Sequence, residues 1–183
     1  MKLIRELHES FKKDSKLIIF CDNKILYDQD KNTYNFELKD LNLKNQIGPF
    51  LSIALVDDCY FYVLDIKKNE DILGLFMDTN YINFVDLIQI LGLLDQSSFL
   101  LASRASILQR WNANNGFCSI CGKSNLFNDK EGAFECKCNS IPKYPTISPC
   151  IITLIHDEDH ILLGRSKFFP RNMYSTLAGF IEA

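Results

Sequence analysis

The sequence predicts an α+β fold in three consecutive parts. Short apolar runs on either side of turn residues predict β-hairpins, and apolar residues at helical spacing predict helices after them. The expected parts are an N-terminal α/β domain with hairpins and helices over residues 1–112, a small cysteine-rich segment over 113–143, and the first strands of a further domain over 144–183. The last part is expected to be only the beginning of a domain, because so short a run of strands buries little apolar surface.

The composition is typical of a globular protein. Of the 183 residues, 47% are hydrophobic and 23% are charged, which excludes disorder throughout the chain. The net charge of −3 argues against general binding to nucleic acids or membrane surfaces. No apolar run approaches the ~20 residues needed to span a bilayer, and the charged N-terminal segment is unlike a secretory signal. A cytoplasmic protein that does not bind membranes is therefore expected.

The N-terminal domain is predicted to contain a short helix followed by two hairpins. The helix is expected at the N terminus, ahead of Leu17. In each hairpin, two apolar runs flank a pair of turn-forming residues, and the polar stretch 27–45 between the hairpins predicts a loop. The runs and turns are 17–21 and 24–27 around Asp22-Asn23, and 49–56 and 59–66 around Asp57-Asp58.

Two helices are predicted next, each from apolar residues three or four positions apart. Ser97-Ser98 is expected to cap the second helix. The apolar faces are Phe84, Leu87, Ile88, Leu91 and Leu94 in the first helix, and Leu100, Leu101, Ala105, Leu108 and Trp111 in the second. In the last part of the chain, residues 151–155 and 161–164 predict a hairpin, and 174–181 predict a further strand.

The spacing of four cysteines predicts a zinc ribbon over residues 113–143. Cys118 and Cys121 are separated by two residues, and Cys136 and Cys138 follow. Four thiolates suit tetrahedral Zn²⁺, which stabilises segments too small to fold by packing. The Cys-x-Cys spacing of the second pair departs from the regular Cys-x-x-Cys. This departure leaves open a degenerate ribbon in which two or three thiols bind no metal.

The remaining cysteines and the histidines are expected to have structural roles. An odd number of cysteines without a secretory signal argues against a disulfide framework. The cysteines outside the four are expected in the core: Cys21, Cys59 and Cys150. His156 and His160 have a helical metal-binding spacing, but they flank an acidic turn between strands and are expected on the surface. His8 has no evident partner in the sequence.

Four stretches, taken in order, carry a family resemblance. They are Ile107-Leu-Gln-Arg-Trp111, Phe117-Cys-Ser-Ile-Cys-Gly122, Tyr144-Pro-Thr-Ile-Ser-Pro149 with Cys150-Ile-Ile152, and Met173-Tyr-Ser-Thr-Leu-Ala-Gly-Phe-Ile-Glu182. From about residue 100 onward the chain resembles the NADH pyrophosphatase branch of the Nudix hydrolases. The resemblance implies an N-terminal α/β domain, a zinc ribbon, a Tyr-Pro linker and the first strands of a Nudix α/β/α sandwich.

The resemblance implies an activity and a set of site residues. Enzymes of this branch hydrolyse the pyrophosphate of NADH or NAD⁺ to NMN(H) and AMP, remove NAD caps from RNA, and form homodimers. Tyr144, Ile152 and Phe180 match positions that border the nicotinamide, and Cys118, Cys121, Cys136 and Cys138 match structural zinc ligands. The backbone carbonyl of Ala178 matches a contact to the catalytic ion, Mg²⁺ or Mn²⁺.

The resemblance also implies where the catalytic glutamates should lie. The Nudix box of the family begins at the position of Gly179, and its metal-binding glutamates come after this position. None of them is found within the 183 residues, so no catalytic residue is expected in this chain, and the chain alone is expected to be inactive. Thr146, where many relatives have Arg, is a further departure from the family pattern.

A second interpretation is a non-catalytic zinc-ribbon module for binding or dimerisation. Lysines give the ribbon a mildly basic face, which favours either plain solvated surface or contact with single-stranded nucleic acid. These lysines are Lys123, Lys130, Lys137 and Lys143.

Overall fold

A computed structural model describes residues 1–41, 48–66, 81–139 and 141–182. Over these residues strands predominate over two α-helices, which gives the mixed α+β fold that the sequence predicts. The chain divides into two compact units, Met1–Pro145 and Thr146–Ala183. Residues 42–45 of the predicted loop between the hairpins lie outside the described residues.

The first unit contains nine strands and two helices within the described ranges. In chain order they are β1 (Lys2–His8), β2 (Lys16–Cys21), β3 (Lys24–Asp28), β4 (Phe36–Glu37), β5 (Phe50–Val56), β6 (Cys59–Asp65), β7 (Ile82–Val85), α1 (Leu87–Leu91), α2 (Gln96–Asn114), β8 (Leu126–Asn128) and β9 (Ala133–Glu135). The first seven strands form one sheet in the order β1-β5-β6-β2-β3-β7, with β4 also paired to β2. Strands β2 and β6 are parallel to each other, and the other pairs in this sheet are antiparallel.

Both predicted hairpins are confirmed, as β2–β3 and β5–β6. Their turn residues have positive φ angles, 50° and 64° at Asp22 and Asn23 and 48° and 63° at Asp57 and Asp58. Positive φ at both central residues is the mark of a type I′ turn, whose twist matches that of the flanking strands. Asp and Asn tolerate this conformation better than other non-glycine residues, so the turns are encoded locally.

The central strand β2 is buried on both faces of the sheet. Ile18 and Phe20 belong to one apolar core, and Leu17 and Ile19 belong to the other, on the opposite face. Helix α2 covers the first face with the buried side chains Leu101, Ala102, Ala105, Leu108 and Trp111. The helix therefore fixes Trp111, near its C-terminal end, against the sheet.

The predicted N-terminal helix is wrong, because this segment forms strand β1. It pairs antiparallel with β5, from Lys2 opposite Leu55 to His8 opposite Phe50. Pairing with β1 satisfies the backbone donors and acceptors along the outer edge of β5. This long-range pairing outweighs the local charge pattern that favoured a helix.

The first predicted helix is only partly correct, and the expected cap of the second is wrong. Phe84 lies in strand β7, which pairs with β3, and α1 covers only five residues. Helix α2 is capped by Asp95, whose carboxylate accepts hydrogen bonds from the backbone N–H groups of Ser97 and Ser98 at 2.8 and 3.0 Å. Leu100, predicted on the apolar face of α2, is 51% exposed.

The second unit consists of two small antiparallel ladders. Its strands are β10 (Cys150–Thr153), β11 (His156–Asp157), β12 (His160–Ile161) and β13 (Leu177–Phe180). Strand β10 pairs with β13, and not with residues 161–164 as the predicted hairpin required. The short pair β11–β12 forms a hairpin around the predicted turn, and β13 lies within the predicted segment 174–181. Cys150 was expected in the core but is exposed, and Cys59 is only half-buried, whereas Cys21 is buried as expected. No helix in the described ranges is long and apolar enough to cross a membrane.

Candidate metal centre and the linker beside it

The four cysteines of the predicted ribbon converge on one point. The Sγ atoms of Cys118, Cys121, Cys136 and Cys138 all lie within 4.8 Å of one another. The Sγ atoms of Cys118 and Cys138 are 3.6 Å apart, and those of Cys121 and Cys136 are 3.5 Å apart. Thiolates at about 2.3 Å from a tetrahedral Zn²⁺ would be about 3.8 Å from each other, so the donor set fits this geometry.

The local fold explains how the two cysteine pairs meet. The Cys118 N–H donates to the Lys123 carbonyl at 2.8 Å, and the Gly122 N–H donates to the Cys118 carbonyl at 2.9 Å. Gly122 has a φ of +72°, which a side chain would strain, so the tight turn depends on this glycine. Cys136 directly follows strand β9, whose pairing with β8 carries it to the turn. Cys138 joins the cluster despite the short Cys-x-Cys spacing.

Backbone hydrogen bonds favour a thiolate in this cluster. The N–H groups of Cys121 and Ile120 lower the pKa of Cys118 to about 6, and the Ile120 nitrogen is 3.4 Å from the Cys118 Sγ atom. Hydrogen bonds to Cys136 and Cys121 raise the pKa of Cys138 to about 12, because its proton is shared with those sulfurs. Metal ligands must be deprotonated, so these backbone N–H groups favour the form of Cys118 that a metal requires.

Trp111 connects helix α2 to the segment that follows the ribbon. Its indole Nε1–H donates to the Lys143 carbonyl at 2.9 Å. Its ring also packs against Phe134 and Phe127, with ring centroids 4.9 and 6.3 Å away. The first motif of the sequence therefore positions the backbone next to Tyr144.

Two residues that the sequence did not single out surround Tyr144. Its hydroxyl donates to the Glu131 carboxylate, and this bond raises the pKa of Tyr144. The guanidinium carbon of Arg5 lies 5.9 Å from the centre of the Tyr144 ring and 5.4 Å from that of Trp111. No local sequence pattern marks Arg5 or Glu131 as a neighbour of Tyr144. Arg5 belongs to strand β1 and Glu131 to the β8–β9 turn, and only the tertiary fold brings them to Tyr144.

The other three predicted site residues share one face of the β10–β13 ladder. Ile152 pairs with Ala178 and Cys150 pairs with Phe180, so these four side chains lie on the same side. The Ile181 N–H donates to the Pro149 carbonyl at 2.9 Å, so residues 149 and 181 form a hydrogen-bonded pair. Hydrogen-bonded and non-hydrogen-bonded pairs alternate along an antiparallel ladder, so Ile152 and Ala178 form a non-hydrogen-bonded pair. The Ala178 carbonyl therefore points away from β10. Ile152 and Phe180 are 69% and 71% exposed.

The histidines have the surroundings of structural residues. His156 and His160 lie exposed on the paired strands β11 and β12, as expected for surface residues. His8 does have partners, contrary to the expectation from sequence. Its ring nitrogens lie 2.5 Å from the Tyr62 hydroxyl and 3.2 Å from the Glu6 carboxylate.

Within residues 1–41, 48–66, 81–139 and 141–182, only the cysteine cluster brings three or more His, Cys, Asp or Glu side chains close enough together to hold one metal ion. No disulfide bond joins any of the seven cysteines, all of which lie within these residues.

No family model matches the chain. It is 39% identical over 95 residues to the NAD-capped RNA hydrolase NudC of Photobacterium profundum, covering 52% of this chain and 35% of the relative. It is 38% identical over 89 residues to the NAD-capped RNA hydrolase NudC of Pseudomonas aeruginosa, covering 49% and 32%. It is 37% identical over 100 residues to the human mitochondrial NAD(P)H pyrophosphatase NUDT13, covering 55% and 28%.

The chain spans about a third of the length of the curated relatives it matches. Their names agree with the resemblance that the order of motifs indicates, which is thus confirmed for about half of the chain.

Proposed function

We propose that the whole protein hydrolyses the pyrophosphate bond of NADH or NAD⁺ to give NMN(H) and AMP, and that it also removes NAD caps from RNA. The observation that carries the proposal is the similarity, at 37–39% identity, to hydrolases named for NAD-capped RNA and NAD(P)H. The convergence of the four cysteines on one point supports it from the structure.

The nicotinamide side of the dinucleotide is assigned to Tyr144, Ile152 and Phe180. A planar aromatic face suits a planar ring, and Phe180 offers an exposed face diagonal to Ile152 on the β10–β13 ladder. The contact between Tyr144 and Glu131 holds the phenol ring in one orientation. Each assignment follows the family resemblance.

Two kinds of metal are assigned, and the structure supports them to different extents. Structural Zn²⁺ is assigned to Cys118, Cys121, Cys136 and Cys138, in a zinc ribbon built on the β8–β9 hairpin. A bound Mg²⁺ or Mn²⁺ would neutralise the pyrophosphate charge and activate water. For this ion the described residues offer the outward-pointing carbonyl of Ala178, which is less than either ion needs, and we derive no step through it.

The remaining features of the proposal follow the family. The first strands of a Nudix α/β/α sandwich are assigned to the second unit, and the whole protein is proposed to be a homodimer. A cytoplasmic location is proposed because a cluster of free thiols persists in a reducing compartment.

The proposal is tested on the whole protein, with NADH and a short NAD-capped RNA as substrates, with Mn²⁺ added and zinc retained. Phe180→Ala is expected to raise KM for NADH roughly three- to tenfold, the loss of one stacking contact. Phe168→Ala is the matched control, since Phe168 is also in the second unit and is 84% exposed. Folded, zinc-loaded protein that cleaves neither substrate would refute the proposal and favour the non-catalytic zinc-ribbon module.

A further inference from the structure

Two arginines from different elements meet beside the β8–β9 turn. Arg5 of β1 donates through Nε to the Gly132 carbonyl and through Nη2 to the Glu131 carbonyl at 3.3 Å. Arg104 of α2 donates through Nε to the Ile53 carbonyl at 3.0 Å and through Nη2 to the Ile4 carbonyl at 2.7 Å. All four acceptors are neutral, and Nη1 of each arginine has no hydrogen-bond partner among the described residues.

Neither of the two positive charges forms an ion pair with a carboxylate of the described residues. The ion pairs of the described residues join other groups, and neither Arg5 nor Arg104 is within 4.0 Å of a carboxylate oxygen. Burial lowers the pKa of both guanidinium groups, and the charge of Arg5 lowers that of Arg104 further. Partly buried like charges without a counter-ion are costly, so an anion between them would be favourable.

Three carboxylates also line the cleft, those of Glu6, Asp129 and Glu131. Glu6 contacts the His8 ring at 3.2 Å, and Glu131 accepts a hydrogen bond from the Tyr144 hydroxyl. Lys2 and Lys130 add two further cations to the lining of the same cleft. The cleft is therefore lined by four cationic side chains and three carboxylates, so its balance of charge is positive although the whole chain is acidic.

The cleft has room for a ligand. Gly132 lines it next to the Arg5 guanidinium group. The volume of the cleft is about 390 Å³, and it is lined by residues of β1, α2 and the β8–β9 turn. Gly132 has a φ of +57°, and a Cβ atom there would lie 3.2 Å from the Arg5 Nε atom. A larger residue at this position would crowd the guanidinium group and strain the backbone.

We propose that this cleft binds a phosphate group, held by the free Nη1 donors of Arg5 and Arg104 and by the ammonium groups of Lys2 and Lys130. Arginine pairs bind phosphate through charge-assisted hydrogen bonds, which are stronger than neutral ones. The phosphate can be free or can belong to an RNA chain, and only the RNA source rests on the proposed function.

The test observes the arginines directly. The ¹H–¹⁵N signals of the Arg5 and Arg104 Nε–H groups are followed by NMR while inorganic phosphate, or a five-nucleotide RNA without a cap, is added to the full chain. Sodium chloride at matched ionic strength is the control. Selective, saturable shifts of both signals support the proposal, and tighter saturation by RNA than by phosphate identifies the RNA backbone as the ligand.

Variants separate binding from a purely structural role. Arg104→Lys is expected to weaken binding at least about tenfold, because the planar donor group is lost. If that variant does not fold, the double variant Lys2→Gln/Lys130→Gln, which alters only side chains at the rim, is expected to weaken binding several-fold. Lys24→Gln, on the exposed end of β3, is the matched control.

Absence of selective shifts with either probe, or binding that the variants leave unchanged, would overturn the phosphate site. NADH hydrolysis could still be observed in that case. Conversely, phosphate binding with no NADH hydrolysis by the whole protein would support the site and refute the proposed function.

Discussion

Replacement of Trp111 by Phe tests how helix α2 positions the linker at Tyr144. The substitution keeps an aromatic ring against Phe134 but removes the Nε1–H that donates to the Lys143 carbonyl at 2.9 Å. An unsatisfied, partly buried carbonyl costs about 1–3 kcal/mol. Because a unit of this size loses roughly 2–4 °C of Tm per kcal/mol, the melting temperature should fall by several degrees.

The same change should weaken substrate binding if Tyr144 borders the nicotinamide. A loosened linker is expected to raise KM for NADH several-fold with little change in kcat. The matched control is Tyr34→Phe, which removes another side-chain hydrogen bond to a backbone carbonyl, that of Ser98 at 2.8 Å. The control should lower Tm without raising KM. Equal KM effects of the two variants, or a Trp111→Phe protein as stable as the parent, would refute the reasoning.

Three further predictions concern stability and metal. Burial raises the pKa of Tyr34 to about 12. Between about pH 10 and 12 the unfolded chain has lost the phenol proton and the folded chain still holds it, so the free energy of unfolding should fall by about 2 kcal/mol over this range. Tyr34→Phe should flatten this decline in urea titrations. Asp95→Ala should lower the Tm by loss of the helix cap. Hydrogen bonds from Ser98 lower the pKa of Asp95, so the parent, unlike the variant, should lose the contribution of the cap as pH falls below about 4. Native mass spectrometry should find one zinc per chain, lost in Cys138→Ser but retained in Cys150→Ser; equal zinc content in both variants would exclude Cys138 as a ligand.

The parts of the fold that were predictable are those encoded by neighbours in sequence. Asp22-Asn23 and Asp57-Asp58 adopt positive φ angles that few other residue pairs accept, so each hairpin could be placed from its turn. The buried face of α2 follows from helical spacing, apart from Leu100. The four cysteines converge because the turn at Gly122 and the β8–β9 hairpin are short-range structures.

What the sequence did not reveal depends on distant partners. Strand β1 forms hydrogen bonds with the backbone groups along the edge of β5, and the strand that contains Phe84 does the same along the edge of β3. The contacts of Tyr144 with Glu131 and Arg5 bridge 13 and 139 positions in the chain, which no local pattern reports. Asp95 replaced the predicted serine cap because its carboxylate accepts two N–H groups at once.

The most direct test of the account is the product analysis of NADH incubated with protein purified from its own source, with zinc retained and Mn²⁺ added. Chromatography is predicted to show NMNH and AMP in equal amounts, accumulating in proportion to enzyme. Intact NADH after incubation with folded, zinc-loaded protein would contradict the assignment of pyrophosphate hydrolysis.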